Sequence, residues 1–264
     1  MTTTQVDSPE FDGRSPPDLI GYELDDYDLE SFLPLVERWP TTRFGYVVTP
    51  NVDHLIRLQE DASFRDSYAK ADFVLLDSRF AARVLKVQKG LQLRVCTGAD
   101  LTAALFARLV RPEDGIVIVG GSEAQATEVA GRYGLRKIAH YNPPMGFIRD
   151  PASVENCLRF IEANSPFRFC FLAVGSPQQE ALAHALSERD RARGLALCIG
   201  ASINFITGAE VRAPDWMQRH SLEWLFRLMQ NPRRLFHRYV IRGPRVFAYL
   251  RRSPVTIRQR PASQ

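Results

Sequence analysis

Short apolar segments alternate with longer segments of helical periodicity along most of this chain, and this alternation constrains the fold more than any other feature. Several apolar segments are near-continuous, which is typical of strands that helices cover on both faces of a parallel sheet. The sequence therefore predicts an α/β fold, with a Rossmann-like parallel sheet and flanking helices. The predicted strands are residues 44–48, 73–76, 116–119, 137–140, 169–174 and 195–199.

The composition fits one large domain, or one domain with an appendage. Of the 264 residues, 45% are hydrophobic and 24% are charged, which is enough to bury a core without covalent crosslinks. The cysteines are far apart and form no C-x-x-C pair, so they favour neither a zinc site nor a disulfide framework. We expect them to be small buried residues of a protein in a reducing cytoplasm: Cys96, Cys157, Cys170 and Cys198.

The first residues lack the basic segment and apolar core of a secretory signal. No apolar run reaches the roughly 20 residues that a membrane-spanning helix needs. We therefore expect a cytoplasmic protein whose membrane contacts are peripheral.

Charge divides the chain into three parts. Residues 1–40 hold ten acidic side chains and two arginines, and we expect a partly ordered lead-in without catalytic residues. Residues 41–210 contain the predicted Rossmann-like catalytic domain. Residues 211–264 hold twelve arginines, two acidic side chains and interleaved aromatic residues. This basic helical segment predicts a C-terminal appendage that associates with an anionic membrane surface, although a solvated face of core helices would also explain it.

Polar residues follow each predicted strand. In open α/β sheets the ligand binds beyond the carboxyl ends of the strands, where backbone N–H groups can hold a diphosphate and side chains can hold hydroxyls. Ordinary turn chemistry would explain any one of these segments alone. The segments are residues 49–51, 77–79, 120–122, 142–144, 175–180 and 200–204.

Asp77 is a lone carboxylate directly after the apolar run 73–76. A carboxylate at that edge of a sheet can act as a general base, taking the proton of a hydroxyl whose oxygen attacks. The alternative interpretation is an N-cap for a helix that starts near Arg79.

Several other chemistries are disfavoured by missing motifs. Gly120-Gly121 lacks the G-x-G-x-x-G spacing, and the chain has no P-loop, G-x-S-x-G or H-E-x-x-H motif. Two other function classes stay open: an NAD-dependent oxidoreductase, and a nucleic-acid-binding protein that uses the arginine-rich tail.

A series of motifs resembles the WecG/TagA/CpsF family of bacterial glycosyltransferases, in the family's order, from about Gly45 to Tyr239. The most specific part is the run of residues 222–228 followed by 231–235. The full series comprises residues 49–51, Asp77, residues 97–101, 119–121, 175–180, 213–217, 222–228, 231–235 and Arg238-Tyr239.

The resemblance implies an inverting, metal-independent transfer of a sugar from a UDP-sugar to a polyprenyl-diphosphate-linked saccharide. It implies a role in the assembly of cell-surface polysaccharide or exopolysaccharide, at the inner face of the plasma membrane. Asp77 would be the catalytic base, with Thr49 and Asn51 in the same pocket. Gln179 would reach the donor. Arginines of the C-terminal segment would neutralise diphosphate: Arg227, Arg234 and Arg238.

The remaining residues expected to bind substrate lie in the segments after the strands: Gly120, Gly121, Asn142, Gly175, Gln178 and Asn204. We expect no cofactor, no metal and no nucleic acid as partners, and the resemblance allows a homo-oligomer. Three positions depart from the family pattern. Ser78 stands where glycine is common, Asn204 where aspartate is frequent and Gln178 where lysine is frequent. These departures leave the identity of the transferred sugar open.

Overall fold

A computed structural model describes residues 19–258 of the chain. Its strands are β1 (Tyr22–Leu24), β2 (Phe44–Val48), β3 (Phe73–Val74), β4 (Gly115–Val119), β5 (Lys137–Tyr141), β6 (Phe169–Leu172), β7 (Gly194–Cys198) and β8 (Val255–Ile257). The helices of the first two thirds are α1 (Leu29–Glu37), α2 (Val52–Glu60), α3 (Ala62–Ala69), α4 (Arg79–Lys89), α5 (Gly98–Ala104), α6 (Glu123–Tyr133), α7 (Pro151–Ala163) and α8 (Gln178–Arg189). Those of the last third are α9 (Ser202–Ile206), α10 (Asp215–Arg219), α11 (Glu223–Gln230), α12 (Pro232–Phe236) and α13 (Arg245–Arg252).

Six strands form one parallel sheet in the order β3-β2-β7-β6-β4-β5. The predicted fold class is therefore confirmed. Each predicted strand corresponds to one strand of this sheet, with ends that differ by at most two residues. Helices connect the strands, as parallel pairing requires. All six carboxyl ends consequently lie at one edge of the sheet.

Side chains of the sheet alternate between two apolar cores, one on each face. Along β6, Phe169 and Phe171 enter one core, and Cys170 and Leu172 enter the other. Both faces are buried, which explains why the strands are near-continuous apolar runs rather than alternating ones. The four cysteines are buried and unbridged, as expected from their spacing.

Helix α1 belongs to the folded body, although it comes from the segment predicted to be a lead-in. It buries Phe32, Leu33 and Val36 in the same core as Phe169. The part of the lead-in before residue 19 lies outside the described residues.

The segment after Gly208 adds no strand to the six-stranded sheet but packs on the helices of the body. Helix α13 packs on α2 and α4, where Val246 and Leu250 are fully buried. Strand β8 then pairs with β1 in parallel, with Val255 opposite Tyr22. Within the described range, no helix is long and apolar enough to cross a membrane. Membrane association of this C-terminal segment stays a prediction.

Candidate active site

Adjacent strands bring three polar segments together at the carboxyl edge of the sheet. The register pairs Val48 of β2 with Val74 of β3 and with Cys198 of β7. The segments that follow these strands therefore converge. Thr49 donates from Oγ1 to the Cys198 carbonyl at 3.4 Å. This convergence places the two predicted catalytic segments, 49–51 and 77–79, beside each other.

The carboxylate of Asp77 is held at this edge by the start of α5. Its Oδ2 accepts a hydrogen bond from the backbone N–H of Gly98 at 3.2 Å. A Cβ at position 98 would lie 3.1 Å from Thr49 Oγ1, 3.6 Å from Asp77 Oδ2 and 3.7 Å from Ser202 Oγ. Glycine at this position thus lets three side-chain oxygens surround one backbone segment.

Asp77 does not cap the following helix. Ser78 is the N-cap of α4, and its Oγ accepts from the Ala81 N–H at 3.1 Å. The alternative interpretation of Asp77 as an N-cap is therefore wrong, because its neighbour satisfies the free N–H group. Because Ser78 caps α4, the Asp77 carboxylate is available to a ligand.

Burial, and to a lesser extent the nearby negative charge of Glu223, raise the pKa of Asp77 to about 7. The Gly98 N–H and the Arg227 charge oppose this shift. A carboxyl group with a pKa near the working pH can both accept and release a proton, which is what a general base needs.

Asp77 lines a cavity of about 380 Å³ between the sheet edge and the C-terminal helices. The inner wall of this cavity comes from the body of the fold: Asn51, Asp77, Ser78 and Thr97. The outer wall comes from the C-terminal segment: Glu223, Trp224, Arg227, Arg238, Tyr239 and Phe247. The segment predicted as an appendage therefore supplies about half of the residues around the candidate base.

Asn51 connects the two walls. Its Oδ1 caps α2 by accepting from the Asp53 and His54 N–H groups at 3.0 and 3.4 Å. The same oxygen accepts from Nη2 of Arg238 at 3.4 Å. Arg238 also lies 3.6 Å from the Asp53 carboxylate. Asn51 is thus both a helix cap and a contact for an arginine of the outer wall.

A second cavity, of about 530 Å³, adjoins the first and shares Asp53 and Arg238 with it. Its cationic side chains are Arg57, Arg238, Arg242 and Arg245. Ser176, from the segment after β6, lies on its rim. A cavity lined by four guanidinium groups suits a phosphate or diphosphate, since arginine binds such groups with paired hydrogen bonds.

Carboxylates of α2 hold the arginines of this second cavity. Arg242 lies 3.3 Å from Asp53 and 2.6 Å from Glu60, and Arg245 lies 3.2 Å from Glu60. Arg227, on the outer wall, pairs with Glu223 at 3.1 Å. The side chain of Arg234, also predicted to neutralise diphosphate, lies outside the described residues. Among residues 19–258, no three potential metal ligands of the His, Cys, Asp and Glu types are grouped together.

Gln179, predicted to reach the donor, is 2% exposed and has protein partners at both ends of its amide. Its Oε1 accepts from the Gly200 N–H at 2.8 Å, and its Nε2 donates to Glu180 at 2.9 Å. It thereby fixes the turn between β7 and α9, which carries Ser202 towards Gly98. Burial raises the pKa of Glu180 to about 7.

The other predicted binding residues do not line the two cavities. Asn204 pairs with Gln125 at 2.8 Å and with Glu210 at 3.0 Å. Gly120 has a φ of +97° and lies close to Ala173. A Cβ at position 120 would be 2.7 Å from the carbonyl oxygen of Ala173. All seven lie along the carboxyl edge of the sheet or in the segments that follow it: Gly120, Gly121, Asn142, Gly175, Gln178, Gln179 and Asn204.

Sequence reasoning missed several residues of the site. Glu223 and Trp224 lie in the most specific motif of the C-terminal segment, but that motif alone does not tell which side chains face Asp77. The helical spacing of Arg234, Arg238 and Arg242 indicates one line of arginines, but Arg242 was not among the residues predicted to bind substrate. Phe80 and Phe247 carry no such signal, because α4 and α13 meet only through the tertiary fold.

Comparisons with known proteins agree with this arrangement. Residues 17–260 match the model of the Glycosyl transferase WecG/TagA/CpsF family. A curated relative from Bacillus spizizenii (strain ATCC 23059 / NRRL B-14472 / W23) is an N-acetylglucosaminyldiphosphoundecaprenol N-acetyl-beta-D-mannosaminyltransferase. It is 27% identical over 217 residues, which cover 79% of this chain and 81% of the relative. Because the family match spans both walls of the cavity, this chain belongs to the WecG/TagA/CpsF family of glycosyl transferases.

Proposed function

We propose that this protein transfers a sugar from a UDP-sugar to a saccharide linked to polyprenyl diphosphate, with inversion and without a metal. The observation that carries the proposal is Asp77, whose pKa is about 7, in a cavity whose opposite wall holds Arg227 and Arg238. The relative from Bacillus supports the acceptor class, since its name specifies a diphosphoundecaprenol-linked sugar.

In the proposed reaction, Asp77 takes the proton of an acceptor hydroxyl while its oxygen attacks the anomeric carbon of the donor sugar. The new glycosidic bond forms as the bond from that carbon to UDP breaks, and the configuration inverts. Negative charge then develops on the departing diphosphate. Arg227 and Arg238 would stabilise this charge, and the same role is proposed for Arg234 from the resemblance alone.

Two residues of the body would support this chemistry. Thr49 is buried, does not line the cavity and lies beside Gly98, so it would act by positioning the segment that holds Asp77. Asn51 lines the cavity and contacts Arg238, so it would orient hydroxyl groups of the substrates. Gln179 would act through the turn at Gly200. The remaining donor contacts are proposed for the carboxyl-edge residues Gly120, Gly121, Asn142, Gly175, Gln178 and Asn204.

We place the reaction at the inner face of the plasma membrane, in cell-surface or exopolysaccharide assembly. Large apolar side chains lie exposed on the arginine-rich helices: Trp216, Met229, Phe236 and Ile241. Exposed apolar groups beside basic ones suit an anionic bilayer. This location also supplies an acceptor whose lipid chain stays in the membrane.

The decisive experiment measures UDP release by the purified full chain over a panel of UDP-sugars, with and without a short-chain polyprenyl-diphosphate glycan. We expect acceptor-dependent release with one sugar. Asp77→Asn should lower that rate about 100-fold or more, as expected for loss of a general base. Asp66→Asn is the control, because Asp66 is exposed on α3 and lines neither cavity.

A loss of the same size in both variants would contradict the role of Asp77. No release with any donor and no binding of UDP would overturn the proposed function. If nicotinamide cofactor raised the melting temperature and UDP did not, the oxidoreductase alternative would replace it.

A further inference from the structure

Four aromatic residues form one side of the cavity beside Asp77: Phe80, Trp224, Tyr239 and Phe247. We call them the aromatic patch. Phe80 and Phe247 meet edge to face, with ring centroids 5.6 Å apart at 78°, and join α4 to α13. Trp224 and Tyr239 form a second edge-to-face pair, 6.2 Å apart at 75°. The two pairs give a preformed apolar surface rather than isolated side chains.

The aromatic patch reaches the outside of the molecule. Phe247 is 44% exposed and Trp224 is 36% exposed, although both line the cavity. Met229 and Ile241 of the C-terminal segment are also exposed. Apolar side chains are therefore exposed both at the cavity and on the segment that forms its outer wall.

Arg238 lies where this apolar cavity meets the second, basic cavity. A ligand that fits both must carry an anionic group joined directly to an apolar group. The anionic group would meet Arg238, Arg242 and Arg57, while the apolar group would lie on the aromatic patch. The two cavities together thus have the charge pattern of a lipid diphosphate.

We propose that the aromatic patch binds the first isoprene units of the acceptor, with the acceptor's diphosphate in the basic cavity and its sugar hydroxyl at Asp77. Arg238, which lines both cavities, would face the acceptor's diphosphate on one side and the departing diphosphate of the donor on the other. This inference rests on the proposed function and assigns the lipid part of the substrate to a surface. Phe80 and Phe247 offer no hydrogen-bonding groups to sugar hydroxyls, and burying hydroxyls without partners is unfavourable. An isoprenoid chain has no polar groups, and the burial of each of its carbons lowers the free energy of binding.

The test compares ligands on the full chain by calorimetry: farnesyl diphosphate, inorganic diphosphate and UDP. We expect farnesyl diphosphate to bind at least tenfold more tightly than inorganic diphosphate. Phe247→Ser should remove this preference while leaving the affinity for inorganic diphosphate unchanged. Arg238→Gln should weaken both ligands. Phe236→Ser is the matched control, since Phe236 is 52% exposed on the same segment but does not line the cavity.

Equal affinities for farnesyl diphosphate and inorganic diphosphate would overturn the inference. So would a Phe247→Ser variant that loses UDP binding and keeps farnesyl diphosphate binding, because the patch would then hold the donor base. Failure of the inference is distinguishable from failure of the proposed function. In the first case UDP release persists, and its kcat/KM is equal for acceptors with a farnesyl chain and with a short alkyl chain. In the second case no UDP is released.

Discussion

The two walls of the candidate site are held in different ways. Buried hydrogen bonds fix the inner wall: the Gly98 N–H holds Asp77, and Gln179 holds the Gly200 turn. Ion pairs with partly exposed side chains attach the outer wall between Glu223 and Tyr239, as between Arg238 and Asp53. None of the residues of α11, all of which the structure describes, is fully buried. Pairs of this kind contribute about 0–1 kcal/mol each, so this part of the outer wall is held more weakly than the inner wall. Only its Phe247 lies on a helix, α13, that is anchored in the core.

This difference suits the two tasks of such a site. A general base needs a fixed position, because small displacements of reacting groups cost large factors in rate. A bulky lipid-linked acceptor needs an opening. A rigid inner wall and a weakly attached outer wall provide both, and closure of the outer wall would exclude water from the donor.

The largest effect expected from this comparison is the pH dependence set by the inner wall. Asp77 must be ionised to act as a base, and its pKa is about 7. The rate of UDP release should therefore fall about tenfold for each pH unit well below that value, or about 100-fold from its high-pH plateau to pH 5. A flat pH–rate profile over this range, with chemistry rate-limiting, would contradict the assignment.

The raised pKa of Asp77 also makes the free energy of unfolding depend on pH. The folded state raises the pKa of Asp77 above its ordinary value of 3.8, so it favours the protonated carboxyl. The stabilisation that this proton provides is complete below about pH 4 and is lost as the pH rises through about 7. Asp77→Asn should therefore melt at a higher temperature than the wild type at pH 8. Calorimetry at pH 8 and pH 5 should show the difference shrinking at the lower value.

The next largest effect concerns the arginine that lies in both cavities. Arg238→Gln removes a charged hydrogen-bond donor from the proposed diphosphate, which corresponds to a loss of about 10- to 100-fold in kcat/KM. Arg233→Gln is the control, because Arg233 is exposed and lines neither cavity. Equal losses in the two variants, measured at the same ionic strength, would indicate a general effect of charge and not a specific contact.

A smaller effect is expected on the stability of the inner wall. Gln179→Ala leaves the Gly200 N–H without its buried partner, so the free energy of unfolding should fall by about 1–3 kcal/mol. Gln178→Ala, one residue earlier and only half-buried, should cost less. Urea denaturation measures both variants. If the two lost the same stability, the Gly200 turn would not depend on Gln179.

The smallest effect is expected where the outer wall is attached. Arg242→Gln removes the pairs with Asp53 and Glu60 and should change the free energy of unfolding by less than about 1 kcal/mol. It should still weaken binding of inorganic diphosphate to the basic cavity. A loss of several kcal/mol would mean that the outer wall is as firmly held as the inner one.

The sequence predicts the body of this fold well because burial on both faces leaves a direct signal. The apolar runs coincide with β2–β7, and the position directly after β3 identifies Asp77. The assignment of the N-cap failed by one residue: aspartate and serine cap helices equally well, so only the structure shows that Ser78 holds that position.

The outer wall could not be predicted in the same detail. Its helices show their amphipathic pattern, but their placement over Asp77 depends on contacts between distant segments. Phe247 meets Phe80, and Arg238 meets Asn51, across more than 160 residues of sequence. For Gln179 the motif was recognisable in the sequence, but its role was not. The motif does not show that the Gln179 amide is hydrogen-bonded to Gly200 and Glu180 of the protein itself.

The pairing of β1 with β8 bears on how the chain folds as it is synthesised. Strands β2–β7 are complete once residue 198 has been made, so the sheet can form early. Strand β1 can pair only after Val255, the partner of Tyr22 in the register, has been synthesised. Among the described strands, β1 is thus the first to be made and the last to be paired. Because domains fold as they emerge, the nascent protein would display an unpaired β1 until residues 255–257 have been made.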